Sequence, residues 1–251
     1  MVNQLLICSS IVTVSGYAWM ESNTSMLDKV KQISGILSTK HKRTLKRNFP
    51  FYSKLSPSLL KHFEQKVEYY FYKKTFVDAA NKPVEDKKKL LIAAYAAQLT
   101  FGLKDFYFLH LKRIIVHEEK FFSEKAQKSV TWEISNDGTI AIAWKVFYSE
   151  LRSTSISSPL GLMVMANALK WEKYSFLKEQ IYFKNAASYF TNSKVGKVAE
   201  NRQIFEDKDM KNNEDFFIAC LIHYFSKPME LKNRYPDLFR KIDYTLFNKV
   251  S

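Results

Sequence analysis

The hydrophobic period of this 251-residue chain switches from helical to alternating and back again, and that switch limits the fold more than any other feature of the sequence. Leu59, Leu60, Phe63, Val67, Tyr70 and Phe71 recur at helical spacing, which predicts a helix over 57–74 with one buried stripe. Ser56 and Pro57 supply its N-cap and first helical residue. A second helix is predicted over Pro83–Phe101, where Ala93, Ala94, Ala96 and Ala97 let another helix approach closely and Gly102 serves as C-cap. Between 113 and 144 the pattern becomes β. Arg113–His117, Val130–Ile134 and Thr139–Trp144 read as short strands, the last two joined by Ser135-Asn136-Asp137-Gly138, whose Asp-Gly pair marks a tight turn. Helical spacing returns over Pro159–Tyr174, Leu177–Phe190, Asn213–Ser226 and Pro236–Phe247. Helices, a small sheet and then helices again predict a mostly helical α+β fold.

A hydrophobic share of 46% and an aromatic share of 15% are enough for a sizeable core, and six Gly with six Pro argue against long disordered tracts. The expected division is an N-terminal extension over 1–44 and a main domain over 45–251. Cys8 and Cys220 are too few for a disulfide framework and no C-x-x-C is present, so a reducing compartment is expected. The net charge of +14 is mostly dispersed, with its densest run at Lys40, His41, Lys42, Arg43, Lys46 and Arg47. A Lys-rich solvated surface explains it, and no zinc finger, RRM, KH or helix-turn-helix signature accompanies it, so nucleic acid is not the expected partner. Residues 5–20 carry no charge but are short for a membrane span and diluted by Ser9, Ser10, Thr13, Ser15 and Gly16. They leave open either a weak N-terminal anchor with membrane contact or a buried or partner-facing segment. If they span, the basic run places the main domain in the cytoplasm, the expected location either way.

Over roughly 45–248 the chain resembles the Mlc titration factor A family of zinc-dependent peptidases, and most of all its bacterial branch with an N-terminal extension. Phe49–Phe76 is similar to the family's opening helix, Leu91–Leu103 to its Ala-rich core helix, and Ile140–Phe147 to the strand before the active site. Asn212–Pro228, followed by Tyr235-Pro236-Asp237-Leu238-Phe239, resembles the block that carries the glutamate ligand. The resemblance implies a zincin-like metallopeptidase domain and, in the family, a zinc cofactor.

The family's active-site helix reads approximately N-L-G-L-H-E-F-A-H-A-L, and this chain keeps Leu160, Gly161, Leu162, Ala166, Ala168 and Leu169. Met163 stands at the first His, Val164 at the general-base Glu and Asn167 at the second His. The acidic ligand falls at Asp215 or Glu214, and Ile222 occupies the place of the acid about seven residues on. Catalytic zinc needs three protein ligands and a polarised water, a set that Met, Val and Asn do not supply. No catalytic residue and no metal are therefore expected, with Asp215, Glu214 and His223 as residual ligand candidates. Ile115-Val116-His117-Glu118-Glu119-Lys120-Phe121 begins like a second zincin motif, but Phe121 replaces its second His. His41, His62 and His110 show no partner pattern.

The reading that follows is a degenerate family member, a pseudoenzyme that binds or regulates an unknown peptide or protein partner. Its groove would use an exposed strand edge formed by Thr139, Ile140, Ala141, Ile142 and Trp144, because main-chain pairing does not depend on zinc. Two other readings stand beside it. One is an active zinc-dependent peptidase with a rebuilt metal site, and the other a basic nucleic-acid or anionic-membrane binder acting through residues 40–47.

Overall fold

A helix with no polar side beyond its first turn forms the axis of the molecule. In the computed structural model, which describes residues 37–102, 107–151, 159–175 and 213–247, this is Asp86–Leu99, α3. Its first turn is charged, and every residue from Leu90 to Leu99 is buried. A helix apolar all round is stable only with neighbours on all sides. Ala93, Ala94, Ala96 and Ala97 keep its surface low enough for α1 (Thr39–Asn48), α2 (Pro57–Lys73) and α5 (Leu160–Ser175) to pack against it. The approach of α5 is closest at Gly161, where a Cβ would lie 2.2 Å from the ring of Tyr95. That ring in turn meets Phe49 and Phe147 edge-on, at 5.0 and 5.4 Å between centroids.

The central helix is shorter than its sequence period predicts. Pro83 forms a β-bridge with Val77, so the chain is still extended there and the helix starts at Asp86. At the other end the cap is Thr100, not Gly102; its hydroxyl donates to the Ala96 carbonyl at 2.7 Å.

The sheet is mixed and has four strands. β1 (Thr75–Asp78), β2 (Arg113–His117) and β6 (Thr139–Ala143) run parallel, and β5 (Trp132–Ile134) adds antiparallel to β6, giving the order β1-β2-β6-β5. In register across it lie Phe76, Ile114, Ile140 and Ile134, then Val116, Ile142 and Trp132. Ile114, Val116, Ile140 and Ile142 are buried and join the helical core, while Arg113, Ile115 and His117 on the opposite face are half-buried, the alternation that a one-sided sheet requires. The predicted strand Val130–Ile134 is two strands. Lys128–Val130, β4, pairs with β3 (Phe121–Ser123) in a separate hairpin, and β5 pairs with β6. Trp144, predicted as the end of β6, begins α4 (Trp144–Leu151). The fold closes with α6 (Asn213–Ser226), α7 (Pro228–Arg234) and α8 (Pro236–Phe247).

A buried polar network ties α5 to the chain entering β2. Glu172, fully buried, accepts from the backbone N–H of His110 at 2.7 Å and of Leu111 at 3.2 Å, and pairs with His110 Nδ1 at 2.9 Å. Next to it Lys74 donates to the Phe108 carbonyl and sits over the Tyr69 ring. Burial pushes the Lys74 ammonium down to about 8 from its ordinary 10.5, against the pull of the Glu172 carboxylate. Between these two values the unfolded chain binds more protons than the folded one, so this residue makes stability rise with pH across that window. Urea unfolding at pH 7.5 and 9.5 should show the parent gaining on Lys74→Met by up to about 1.4 kcal/mol per pH unit above pH 8, and not below it. A pH-independent difference between the two proteins would refute the assignment.

Candidate functional site

Pro159 opens α5, whose first turn is held by the Glu150 carboxylate accepting from the Leu160 N–H at 2.6 Å. Positions 163, 167 and 170 then recur at i, i+4 and i+7 and share one face. Met163 and Asn167 are half-buried there, whereas Val164 points into the core and is fully buried. The Asn167 amide nitrogen donates back to the Met163 carbonyl at 2.9 Å. Lys170, next along the same face, reaches across to α6 and pairs with Asp215 Oδ1 at 2.7 Å. The Asp215 side chain is only 9% exposed and Lys170 38%.

This places one of the two acidic ligand candidates opposite the face that carries Met163 and Asn167. For Glu214 only the backbone, within α6, lies in the described residues. His223 is on α6 as well, but eight residues from Asp215 is a rise of roughly 12 Å along a helix axis, too far for both to bind one ion. Burial pushes His223 below its ordinary pKa, helped by Lys227 and Arg234 and opposed by Glu230. The donors at this face do not fit zinc: a thioether, an amide engaged with its own helix, and a carboxylate already neutralised by an ammonium. Among the described residues no three His, Cys, Asp or Glu side chains converge as a metal site.

The strand edge lies elsewhere than the sequence reading puts it. Thr139–Ala143 pairs with β2 on one side and β5 on the other, so Thr139, Ile140, Ala141 and Ile142 belong to an internal strand and Trp144 to a helix. The edge on that side is β5. Ala143 N donates to Thr131 O at 2.8 Å and Ser135 N to Thr139 O at 2.9 Å, which makes Glu133–Ala141 the intervening hydrogen-bonded pair. The N–H and C=O groups of Trp132 and Ile134 therefore point outward, and they carry no backbone hydrogen bond among the described residues. α5 packs beneath this strand, with Trp171 against the turn at Gly138. Gly138 is required at that turn: φ is +81°, and a Cβ would meet the His110 carbonyl oxygen at 2.4 Å.

The remaining sequence candidates separate cleanly. His117 ends β2 and stacks on Phe121 at 4.1 Å, with Glu118 and Glu119 in ion pairs to Lys88 and Lys145, so the second zincin-like string is a strand and turn. His110, without a partner pattern in the sequence, is held by Glu172. The basic run is helix α1, anchored by buried Leu45 and by Ser38, which accepts from His41 N at 3.2 Å. The expected boundary at 44/45 falls inside this helix. Lys40, Arg43, Lys46 and Arg47 are exposed, and Lys42 pairs with Glu64 at 2.7 Å. Residues 5–20 and the helix expected over 177–190 lie outside the described residues, among which no helix is long and apolar enough to cross a membrane.

A family model described as glucose-regulated metallo-peptidase M90 matches residues 23–152. The matched stretch carries the sheet and α1 to α4 and ends before α5. No curated protein gives a significant match.

The ion pair between α5 and α6 yields a direct test. Lys170→Met should destabilise the fold by about 1 to 2 kcal/mol, because it strands a mostly buried carboxylate. Adding Asp215→Asn should recover most of that loss in a double-mutant cycle read by urea unfolding, whereas additive losses would show that the two groups do not interact.

Proposed function

Because the chain belongs to the glucose-regulated metallo-peptidase M90 family, we propose that it is a catalytically inactive member that binds an extended peptide or protein segment. The observation that carries this reading is the α5 face that bears Met163, Asn167 and Lys170, on a helix that packs against β5. There Asn167 turns its amide onto the Met163 carbonyl and Lys170 offsets the charge of Asp215, so both groups are engaged within the protein. A lysine ammonium does for the carboxylate what a cation bound at this face would do, namely offset the cost of burying it.

On β5, against which α5 packs, the outward N–H and C=O groups of Trp132 and Ile134 offer a short ladder to an added strand. Main-chain pairing supplies affinity without regard to sequence, and the side chains of α5 below supply selection. Val164 cannot move a proton, so no hydrolytic step is assigned to this face.

Two measurements test the proposal. Elemental analysis of the purified protein should find far less than one zinc per chain; one tightly held zinc would instead favour an active peptidase with a rebuilt site. Extended heptapeptides that bind should protect the Trp132 and Ile134 amides from hydrogen exchange. Ile134→Pro removes an outward N–H without breaking the ladder to β6, and it should weaken such peptides by about tenfold at modest cost to stability. Peptides that bind without protecting any β5 amide would place the groove elsewhere.

A further inference from the structure

A cavity that Met163 and Asn167 do not line lies between α3, α4, the start of α5 and the end of α6. It has a volume of about 390 Å³, within the range of small-molecule sites. Its walls are apolar and largely aromatic: Phe49, Phe51, Leu59, Leu151, Leu162 and Phe225. Polar residues interrupt them: Lys54, then Tyr224 and Ser226, whose hydroxyls donate to Asp243 and to the Ile222 carbonyl, and three more. Tyr95 and Gln98 stand three residues apart on α3 and therefore on one side of it, and Glu150 reaches in from α4.

Both α3 side chains are 5% exposed, yet among the described residues neither the Tyr95 hydroxyl nor the Gln98 amide makes a hydrogen bond. Neither is among the side-chain atoms sealed from solvent without a partner, so although both residues are nearly buried, their polar atoms open onto the cavity and are available to a ligand there. Burial first, and the Glu150 carboxylate second, push the Tyr95 phenol well above its ordinary range, so it stays a donor. Glu150 uses Oε2 to hold Leu160 N–H and remains an acceptor at the cavity wall. Lys54 stands exposed at the rim.

We propose that this cavity binds an uncharged small molecule that couples an apolar, ring-sized body to a carboxamide-like head. The head must accept from the Tyr95 hydroxyl, exchange hydrogen bonds with the Gln98 amide, and donate toward Glu150. A carboxamide does all three. An anionic head is repelled by Glu150, and any net charge is costly to desolvate between aromatic walls. The apolar body fills the space bounded by Phe49, Phe51 and Phe225. This site is independent of the peptide-binding face, because Leu162 lines it whereas Met163 and Asn167 do not.

The test is a titration of the full chain with benzamide, benzoate and toluene, followed by ligand-observed NMR. Benzamide should bind at least about tenfold more tightly than either of the others. Gln98→Leu and Tyr95→Phe should each weaken benzamide by about five- to tenfold and leave toluene unchanged, while Leu59→Trp, at the cavity wall, should abolish both. Thermal unfolding confirms that each variant is folded before it is titrated. Benzamide that binds no better than toluene or benzoate, or that is indifferent to both polar substitutions, overturns the proposal. Retention of benzamide affinity in Leu59→Trp does so as well, since the ligand would then sit elsewhere.

Discussion

Burying α3 on every side is the constraint that organises this protein. Ten consecutive buried residues, Leu90 to Leu99, cannot be satisfied by one neighbour, and the four alanines among them contribute little transfer energy of their own. What they provide is closeness. Helices that touch through Ala and Gly bring their larger side chains into contact along both flanks, and those contacts carry the energy. The Tyr95 ring lying on Gly161 is the tightest instance, and it fixes where α5 begins relative to the axis. The sheet and the basic helix α1 are then placed by what remains uncovered.

The same arrangement explains why two chemically different surfaces coexist within a small radius. On one side α5, which packs against the edge strand β5, carries Met163, Asn167 and Lys170 on a single face. On the other, α3 presents Tyr95 and Gln98 to an aromatic cavity. The first is charge-balanced by the Lys170–Asp215 pair, and β5 beside it is open in its backbone. The second has closed backbone and unpaired side chains. A strand suits the one and a small polar head suits the other.

Much of the fold was legible because helical and strand periods are local. α2, α5, α6 and α8 and strands β2 and β6 appear where residue spacing puts them. Errors came where the outcome depended on partners distant in sequence. Val130–Ile134 looks continuous, yet its two halves pair with different strands, and no local pattern shows that split. Thr139–Ala143 looked like an edge because its hairpin partner was visible and its parallel partner was not; β2 reaches it only after a crossover through β3, β4 and β5. At the candidate site, the shared face of Met163 and Asn167 followed from helix geometry, and Lys170 at i+7 was readable from the same rule. Glu172 and His110, 62 residues apart, carried no sequence signal for each other.

Glu172 also bears on how a helix of this kind tolerates change. Gly161 seats α5 against α3 near its first turn, and Glu172 fastens it to the backbone of His110 and Leu111 three turns later. The stretch between them is a beam resting on two supports. Met163 and Asn167 belong to neither support, so a chain could exchange those two residues for others while both ends of the beam stayed seated.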